Sequence, residues 1–320
     1  MFQPRLDILP AAQRRLWDEL GSTPKDFVLY GGTALALRLG HRVSEDFDFF
    51  SSQSFAADDL LRSVPYLKGA RVDQFQPDTL TCSVDRGGEV KISFFGGLDN
   101  LKRVADPDHS PGTGLAIASL LDVAGMKCRV VQVRAAYKDY FDIATLLDSG
   151  SVDLATGLAA AQAIHGAAFN PMVTLKALSY FGDGDLARLS PAMQKILLDA
   201  VKTVDLAKLP VSLGSSWSGQ GRTRMTTLQD VARRVVWFDS PEQTLSNPQL
   251  FLAHLMVYGT LEEVLAVKQH FTDRDFQNVL NNPPAGIFDP RSWAYWNLVF
   301  GIQPPTPLPV ARGFPASDGG

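Results

Sequence analysis

Cysteine and long apolar runs are both scarce in this chain. Only two of its 320 residues are cysteines, and neither Cys82 nor Cys128 has partners at metal-ligand spacing. The N-terminal segment lacks the apolar core of a signal peptide, and the most apolar stretch, residues 250–259, is interrupted by His254. We therefore expect reduced thiols, a cytoplasmic location and no membrane span.

Charge of one sign is not in excess either. The chain has 30 Lys and Arg against 34 Asp and Glu, a formal net charge of −4. This balance neither requires nor excludes a nucleic-acid partner, because a local basic surface cannot be read from the total. The length and the 45% hydrophobic content suit one large domain or two smaller ones.

The hydrophobic pattern predicts an α+β fold: a small mixed-sheet core with a helical C-terminal cap, followed by a separate small all-α unit. We place the α/β core at about residues 10–110 and the helical part at about 111–209. A Ser- and Gly-rich linker is predicted over 210–224, a helical domain over 225–305, and a flexible Pro- and Gly-rich tail over 306–320.

Within the core, residues 9–21 have the spacing of an amphipathic helix. The stretch "DFVLYGG" is a short strand that ends in glycines, and "TALALRLG" is a helix that ends at Gly40. "DFDFF" is a second strand, and β-rich segments on both sides of "RGG" form a hairpin. From Leu115 to Leu209 the pattern is helical almost throughout.

The two carboxylates in "DFDFF" need a positive charge to compensate their negative charges. Because residues i and i+2 of a strand share a face, Asp46 and Asp48 lie on one side and Phe47 and Phe49 on the other. Carboxylates this close repel each other unless a cation sits between them. A hard divalent ion, Mg²⁺ or Mn²⁺, accepts one or two carboxylates plus phosphate oxygens. The alternative is an edge strand with solvated acids.

The strand–glycine–helix segment before these acids supplies free backbone N–H groups at a helix N-terminus, which suits a phosphate. Gly31 and Gly32 let a triphosphate approach the backbone, and the Thr33 hydroxyl can add a bond. Taken alone, the Gly31-Gly32 pair would predict no more than a tight turn. Together with the acids, they predict a metal-assisted nucleotide site.

The stretch "GGTALALRLGHRVSEDFDFF" resembles the G-G-T-A-L…R-x-S-x-D-x-D signature of the AbiEii/AbiGii-type nucleotidyltransferase toxins, within the polymerase-β-like superfamily. The later "GMKCRVVQVRAAYKDYFDIATLL" is similar to the family's second signature, a lysine followed by [RK]-D-x-x-D-[IL]. The resemblance covers roughly residues 10–209. It implies a Mg²⁺-dependent toxin of a two-component system that transfers a nucleotide from NTP to the 3′ end of tRNA or to a protein.

The resemblance also implies roles for individual residues. Asp46 and Asp48 match the metal-binding acids. Gly31, Gly32, Thr33 and Ser44 match the nucleotide-binding residues, and Lys127 matches the lysine that reaches the triphosphate. Arg42 is either a phosphate ligand or a surface arginine, and His41 is expected to be an ordinary loop histidine. Asp139 and Asp142 share a helix face; one is a third acid or holds Lys127, or else both pair with Lys138 or Arg134.

One departure from the superfamily concerns the central hairpin strand, which often supplies a third carboxylate. Here that strand is "EVKISFF", and Lys91 or Ser93 stands where an acid would help to activate an attacking hydroxyl. General-base work then falls to Asp48 or Asp142. The competing hypothesis is a catalytically degenerate module that binds nucleotide without transferring it.

The helical region after the linker has no acid, His or Cys cluster with catalytic spacing. It resembles small helical proteins found beside such nucleotidyltransferases, on the stretch "GIFDPRSWAYWN". We interpret residues 225–305 as a fused partner with an antitoxin-like, regulatory role. The expected partners are therefore a nucleoside triphosphate, a tRNA or protein acceptor, and this fused region.

Overall fold

The computed structural model describes residues 2–98, 102–209, 227–302 and 307–308. This part of the chain divides into two compact units. The first is formed by the described residues of Met1–Arg129 together with Asp142–Phe169. The second is formed by Val130–Phe141, Asn170–Leu209 and the described residues of Ser216–Gly320. The predicted linker and most of the predicted tail lie outside the described residues.

The first unit contains a mixed sheet, which confirms the α+β prediction. Its strands are β1 (Val28–Tyr30), β2 (Asp46–Phe50), β3 (Arg71–Gln76), β4 (Thr79–Asp85), β5 (Glu89–Phe95), β6 (Asp108–His109) and β7 (Ala116–Ile117). Within the described residues they follow the order β3-β4-β5-β2-β1-β7-β6. The β2–β5 and β1–β7 pairs are parallel, and the other pairs are antiparallel.

The alternation predicted for β2 is confirmed. Phe47 and Phe49 are fully buried, while Asp46 and Asp48 on the other face are partly exposed. The two phenylalanine rings stack with their centroids 6.5 Å apart, and Phe49 stacks on Phe94 of β5 at 5.2 Å. The apolar face of the strand therefore anchors it in the core and leaves the carboxylates on the open face.

The helices of the first unit are α1 (Ala11–Leu16), α2 (Gly31–Leu39), α3 (Ala57–Ser63) and α6 (Leu154–His165), with α4 (Leu120–Val133) and α5 (Tyr137–Asp148) divided between the two units. The predicted helix at 9–21 continues beyond α1 as a 3₁₀ helix, Trp17–Ser22. Gly40 ends α2 with a φ of +61°, as its sequence position predicted.

Two sheet segments differ from the prediction. Residues around Leu115 were expected to be helical, but Ala116–Ile117 is β7, whose Ile117 pairs with Leu29 of β1. A two-residue strand is too short to leave an alternating pattern, so its state depends on the neighbouring strand. β3 was not predicted at all, because every residue of this edge strand is exposed and carries no buried face.

The second unit is helical: α7 (Pro171–Leu178), α8 (Pro191–Thr203), α9 (Leu228–Val235), α10 (Pro241–Ser246), α11 (Pro248–Tyr258), α12 (Leu261–Val267), α13 (Asp273–Asn281) and α14 (Pro290–Val299). Lys176 on α7 donates to the Val257 carbonyl at 2.7 Å, and Arg291 on α14 pairs with Asp183 at 2.7 Å. Residues on both sides of 210–226 thus share one unit. Whether residues 225–305 also fold alone stays a prediction.

Candidate active site

The acidic pair lies at the centre of the sheet in the first unit. Tyr30 of β1 is the strand partner of Asp48, so the carboxylates lie where β1 ends and α2 begins. On the other side, β5 runs parallel to β2 and pairs Lys91 with Asp46 and Ser93 with Asp48. Both carboxylates therefore project from one face, between the glycine turn and the central hairpin strand.

Gly31 and Gly32 form the first turn of α2, and the two glycines lie close to different side chains. Gly31 has a φ of +73°, and a Cβ built there would lie 3.0 Å from Asp48 Oδ2. A Cβ on Gly32 would lie 2.6 Å from Arg42 Nη2 and 2.9 Å from Ser44 Oγ. The missing side chains thus let the helix N-terminus approach the acid, the guanidinium and the hydroxyl at once.

The Thr33 hydroxyl has a different local role from the phosphate contact that the motif predicted. Thr33 is buried, and its hydroxyl donates to the backbone carbonyl of Asp46. This bond ties the first turn of α2 to the start of β2 and fixes the acidic strand against the glycine turn. Whether the hydroxyl changes partner when a nucleotide binds stays a prediction.

Three basic side chains contact Asp142 beside the glycine turn. Its carboxylate accepts two hydrogen bonds from Arg42, Nε to Oδ1 at 2.6 Å and Nη2 to Oδ2 at 2.8 Å. Lys127 Nζ lies 2.6 Å from Oδ2, and His41 Nε2 lies 2.8 Å from Oδ1. Since Arg42 also adjoins Gly32, this cluster extends from α4 and α5 to the start of α2.

Electrostatics keep Asp142 ionised. Burial would raise the pKa of this carboxyl, but hydrogen bonds from His41 and Arg42 and the charge of Lys127 hold the pKa well below its usual range. A carboxylate stabilised this strongly as the anion is a weak base. The geometry therefore supports the reading in which Asp142 holds Lys127, and it argues against Asp142 as the proton acceptor.

Asp139, the other acid of this helix, belongs to the second compact unit. Its buried carboxylate accepts two hydrogen bonds from Arg134, from Nε at 2.6 Å and from Nη2 at 3.1 Å. This is the Arg134 pairing that the sequence left open. A catalytic role for Asp139 stays a prediction.

A resident metal site made only of protein ligands is absent from the described part of the chain, where no group of three or more His, Cys, Asp or Glu side chains could hold an ion. Mg²⁺ does not need such a group, because it binds through one or two carboxylates plus substrate phosphates. Asp46 and Asp48 share the open face of β2, and the Gly31 backbone adjoins Asp48. This donor set fits an ion that arrives with a nucleotide.

Sequence reasoning missed two residues. His41 was taken for an ordinary loop histidine, yet its imidazole is almost fully buried against Asp142. Asp122 was not singled out, although its buried carboxylate accepts backbone N–H bonds from Val104 and Ala105. The Ser-x-x-Asp spacing of Ser119 and Asp122 at the start of α4 was the available signal for the second.

A glycine turn at a helix N-terminus, an acidic pair beside it and a buried cation cluster define the class: a nucleotidyltransferase-type site. The chain belongs to the family described as "Nucleotidyl transferase AbiEii toxin, Type IV TA system", whose model matches residues 15–209. The match includes the acidic pair, the glycine turn, Lys127 and Asp142.

The "Uncharacterized protein aq_aa25" of Aquifex aeolicus (strain VF5) is 35% identical to this chain over 131 residues. The match covers 40% of this chain and 61% of that protein's length. No solved structure matches the chain significantly. None of the helices in the described residues has the length and hydropathy that a membrane span requires.

Proposed function

We propose that this protein is a Mg²⁺-dependent nucleotidyltransferase of a toxin–antitoxin system, which transfers a nucleotide from NTP to an acceptor hydroxyl. The observation that carries this proposal is the approach of the α2 N-terminus to the acidic pair, with only 3.0 Å from a Cβ position on Gly31 to Asp48 Oδ2. A glycine at this position lets the N-terminus of α2, with its backbone N–H groups, lie directly beside a carboxylate that would bind the metal.

In the proposed reaction, the acceptor oxygen forms a bond to the α-phosphorus of the NTP. The bond between the α-phosphorus and the bridging oxygen to the β-phosphate breaks, and pyrophosphate leaves. The hydroxyl proton passes to a carboxylate oxygen of Asp48. Asp46 and Asp48 would hold Mg²⁺, which neutralises phosphate charge when it is bound.

The other side chains bind and orient the triphosphate. Arg42 and Lys127 are held by one carboxylate, Asp142, so their charges are already placed before a nucleotide arrives. Ser44 lies beside Gly32 and can donate to a phosphate oxygen. Preorganised cations cost less to engage than free side chains, which must lose rotamer entropy on binding.

Replacing Asp46 by Asn tests the proposal. We expect the transfer rate to fall by at least about 100-fold, since a weakened metal site loses several kcal/mol of charge stabilisation. Stability should stay equal or rise, because one of two repelling charges is removed. The readout is the transfer of label from each of four radiolabelled NTPs into tRNA or lysate protein. Transfer by D46N at the wild-type rate would contradict the metal site. The control is D59N, which removes the charge of an exposed acid and should transfer at the wild-type rate.

A second candidate, a nucleotide-binding module without transfer activity, is favoured by one observation. Lys91 is the strand neighbour of Asp46, and Ser93 that of Asp48, so no third carboxylate stands on β5 beside the pair. If this reading holds, the wild type binds NTP but transfers none, and Lys91→Asp creates activity. Active wild-type protein would exclude it.

The acceptor and the regulatory partner are also proposals. The acceptor is an RNA, with the tRNA 3′ end as the expected target, or a protein hydroxyl. Residues 225–305 are proposed to act as a cognate, antitoxin-like regulator.

A further inference from the structure

Two adjacent cations on the segment that follows β5 are not used by the proposed mechanism. Lys102 and Arg103 are both exposed. Within the described residues, neither side chain has a hydrogen bond or an ion pair. Arg42 and Lys127, by contrast, are engaged with Asp142. The charges of Lys102 and Arg103 are therefore open to an anion from solution.

Asp122 fixes the backbone directly after these cations. Its carboxylate accepts from the Val104 N–H at 2.9 Å, from the Ala105 N–H at 3.2 Å and from the Ser119 hydroxyl at 2.6 Å. Asp122 is 1% exposed. A buried carboxylate with three donors is a strong anchor, because each hydrogen bond to the ionised group is stronger than a neutral one.

The other end of the segment is fixed as well. Asp108 lies in β6, pairs with Ile117 of β7 in the sheet, and forms an ion pair with Arg38 at 2.9 Å. The chain from Val104 to Asp108 is thus tied at both ends. The two cations are held next to this anchored segment, which limits where they can reach.

The sheet topology places this anchor at the edge that carries the acidic pair. β7 runs parallel to β1, and the Ala118 N–H donates to the Leu29 carbonyl at 2.9 Å. Parallel strands end at the same edge, so Ser119 and Asp122 adjoin the end of β1, where Tyr30 pairs with Asp48.

We propose that Lys102 and Arg103 contact backbone phosphates of an RNA acceptor and thereby place its terminal hydroxyl at the acidic pair. This inference rests on the proposed function and narrows its acceptor to RNA. Asp122 is then a positioning residue that acts through the loop backbone.

An RNA backbone suits these cations better than the triphosphate does. The proposed phosphate ligands at the glycine turn are already Arg42 and Lys127, which Asp142 holds in place. A chain with a net charge of −4 needs local exposed cations to bind a polyanion. Two neighbouring charges directly beside an anchored segment supply such a contact without any need for base recognition.

The experiment measures binding, so it does not depend on transfer. The full-length protein is titrated into a 5′-fluorescein-labelled tRNA pool, and anisotropy is followed from 50 to 200 mM KCl. We expect Arg103→Gln to weaken binding about three- to five-fold and to reduce the slope of log K against log salt by about 0.7–0.9. The K102Q/R103Q double variant should lose about twice that slope. Arg62→Gln, the same charge change on an exposed side chain paired with Asp59, should leave both values unchanged.

A second titration uses a fluorescent ATP analogue with Mg²⁺. R103Q should bind it like the wild type; weaker nucleotide binding with unchanged tRNA binding would assign the cations to the triphosphate and overturn the proposal. Asp122→Asn should weaken tRNA binding while nucleotide binding and the circular dichroism spectrum are retained.

The two proposals fail in distinguishable ways. Wild-type protein that labels proteins but does not bind tRNA would overturn the RNA contact and leave the transferase standing. Arg103-dependent tRNA binding by a protein that transfers no nucleotide would support the contact and overturn the transferase.

Discussion

At the scale of single residues, Asp142 combines burial with charge pairing. A fully buried carboxylate is costly unless it is compensated, and three basic side chains share this one. The cluster's value to function is that it fixes Arg42 and Lys127 before substrate arrives. Its value to stability depends on all partners remaining, since removing the anion takes away the carboxylate that these basic side chains share.

We therefore expect Asp142→Asn to lower the free energy of unfolding by about 3 kcal/mol at pH 7. The folded pKa of Asp142 is depressed, so its contribution is present above the unfolded pKa of about 3.9 and is lost as the pH falls towards the folded value. The difference between wild type and variant should shrink below about pH 4. Urea denaturation at about pH 7, 4, 3 and 2 measures it. A difference that stays constant down to about pH 2 would contradict the depressed pKa.

At the scale of elements, the turn from β1 into α2 distinguishes two adjacent glycines. Gly31 needs its left-handed conformation and adjoins a carboxylate, whereas Gly32 has ordinary helical backbone and adjoins the side-chain ends of Arg42 and Ser44. The same substitution should therefore have different consequences at the two positions.

Gly31→Ala should destabilise the protein by about 1–2 kcal/mol, the cost of a left-handed Cβ. Gly32→Ala should destabilise the protein less than Gly31→Ala does, because better helix propensity, worth up to about 1 kcal/mol, offsets part of what is lost when Arg42 is displaced from Asp142. Its nucleotide affinity should fall as the guanidinium moves. Thermal unfolding and binding of the fluorescent ATP analogue, measured on both variants, check this; equal destabilisation at both positions would contradict the argument from backbone conformation.

At the scale of the whole molecule, the second unit unites α7 with helices that follow residue 226. Lys176 is buried and donates to the Val257 carbonyl near the end of α11, where cations are favoured by the helix dipole. Burial lowers the pKa of Lys176 from 10.5 to about 8, and the charge of Asp289 partly opposes this. The contact that joins the two stretches of chain is therefore sensitive to pH.

Lys176→Met should reveal this sensitivity. In wild type, Lys176 binds a proton less readily in the folded state than in the unfolded state. The free energy of unfolding therefore rises with pH between about 8 and 10.5, by about 3 kcal/mol in all. The variant lacks this rise. The difference in unfolding free energy, measured by urea at pH 7, 9 and 10, should shift in favour of wild type as the pH increases. A difference that does not change with pH would show that Lys176 keeps its ordinary pKa.

The predicted regulation by residues 225–305 is a separate question at this scale and stays a prediction. Lys176 donates to the Val257 carbonyl, and Arg291 donates to the Asp183 carboxylate. Deleting residues 225–305 would therefore also disturb the helices over 170–209. Weakening one bond in the full chain, as with Arg291→Ala, is the more direct way to ask whether the region restrains transfer.

The sequence by itself determined the acidic strand, the glycine turn and the family, because these depend on the spacing of residues within one short segment. Alternation along a strand puts Asp46 and Asp48 on one face. A Gly-Gly pair after a strand opens the N-terminus of a helix. Only the tertiary structure decided the partners of Asp142, the role of Asp122 and the existence of β7. Each of these depends on residues far apart in the chain, such as His41 with Asp142 or Leu29 with Ile117. The pattern of residues within one segment does not show which distant segment packs against it.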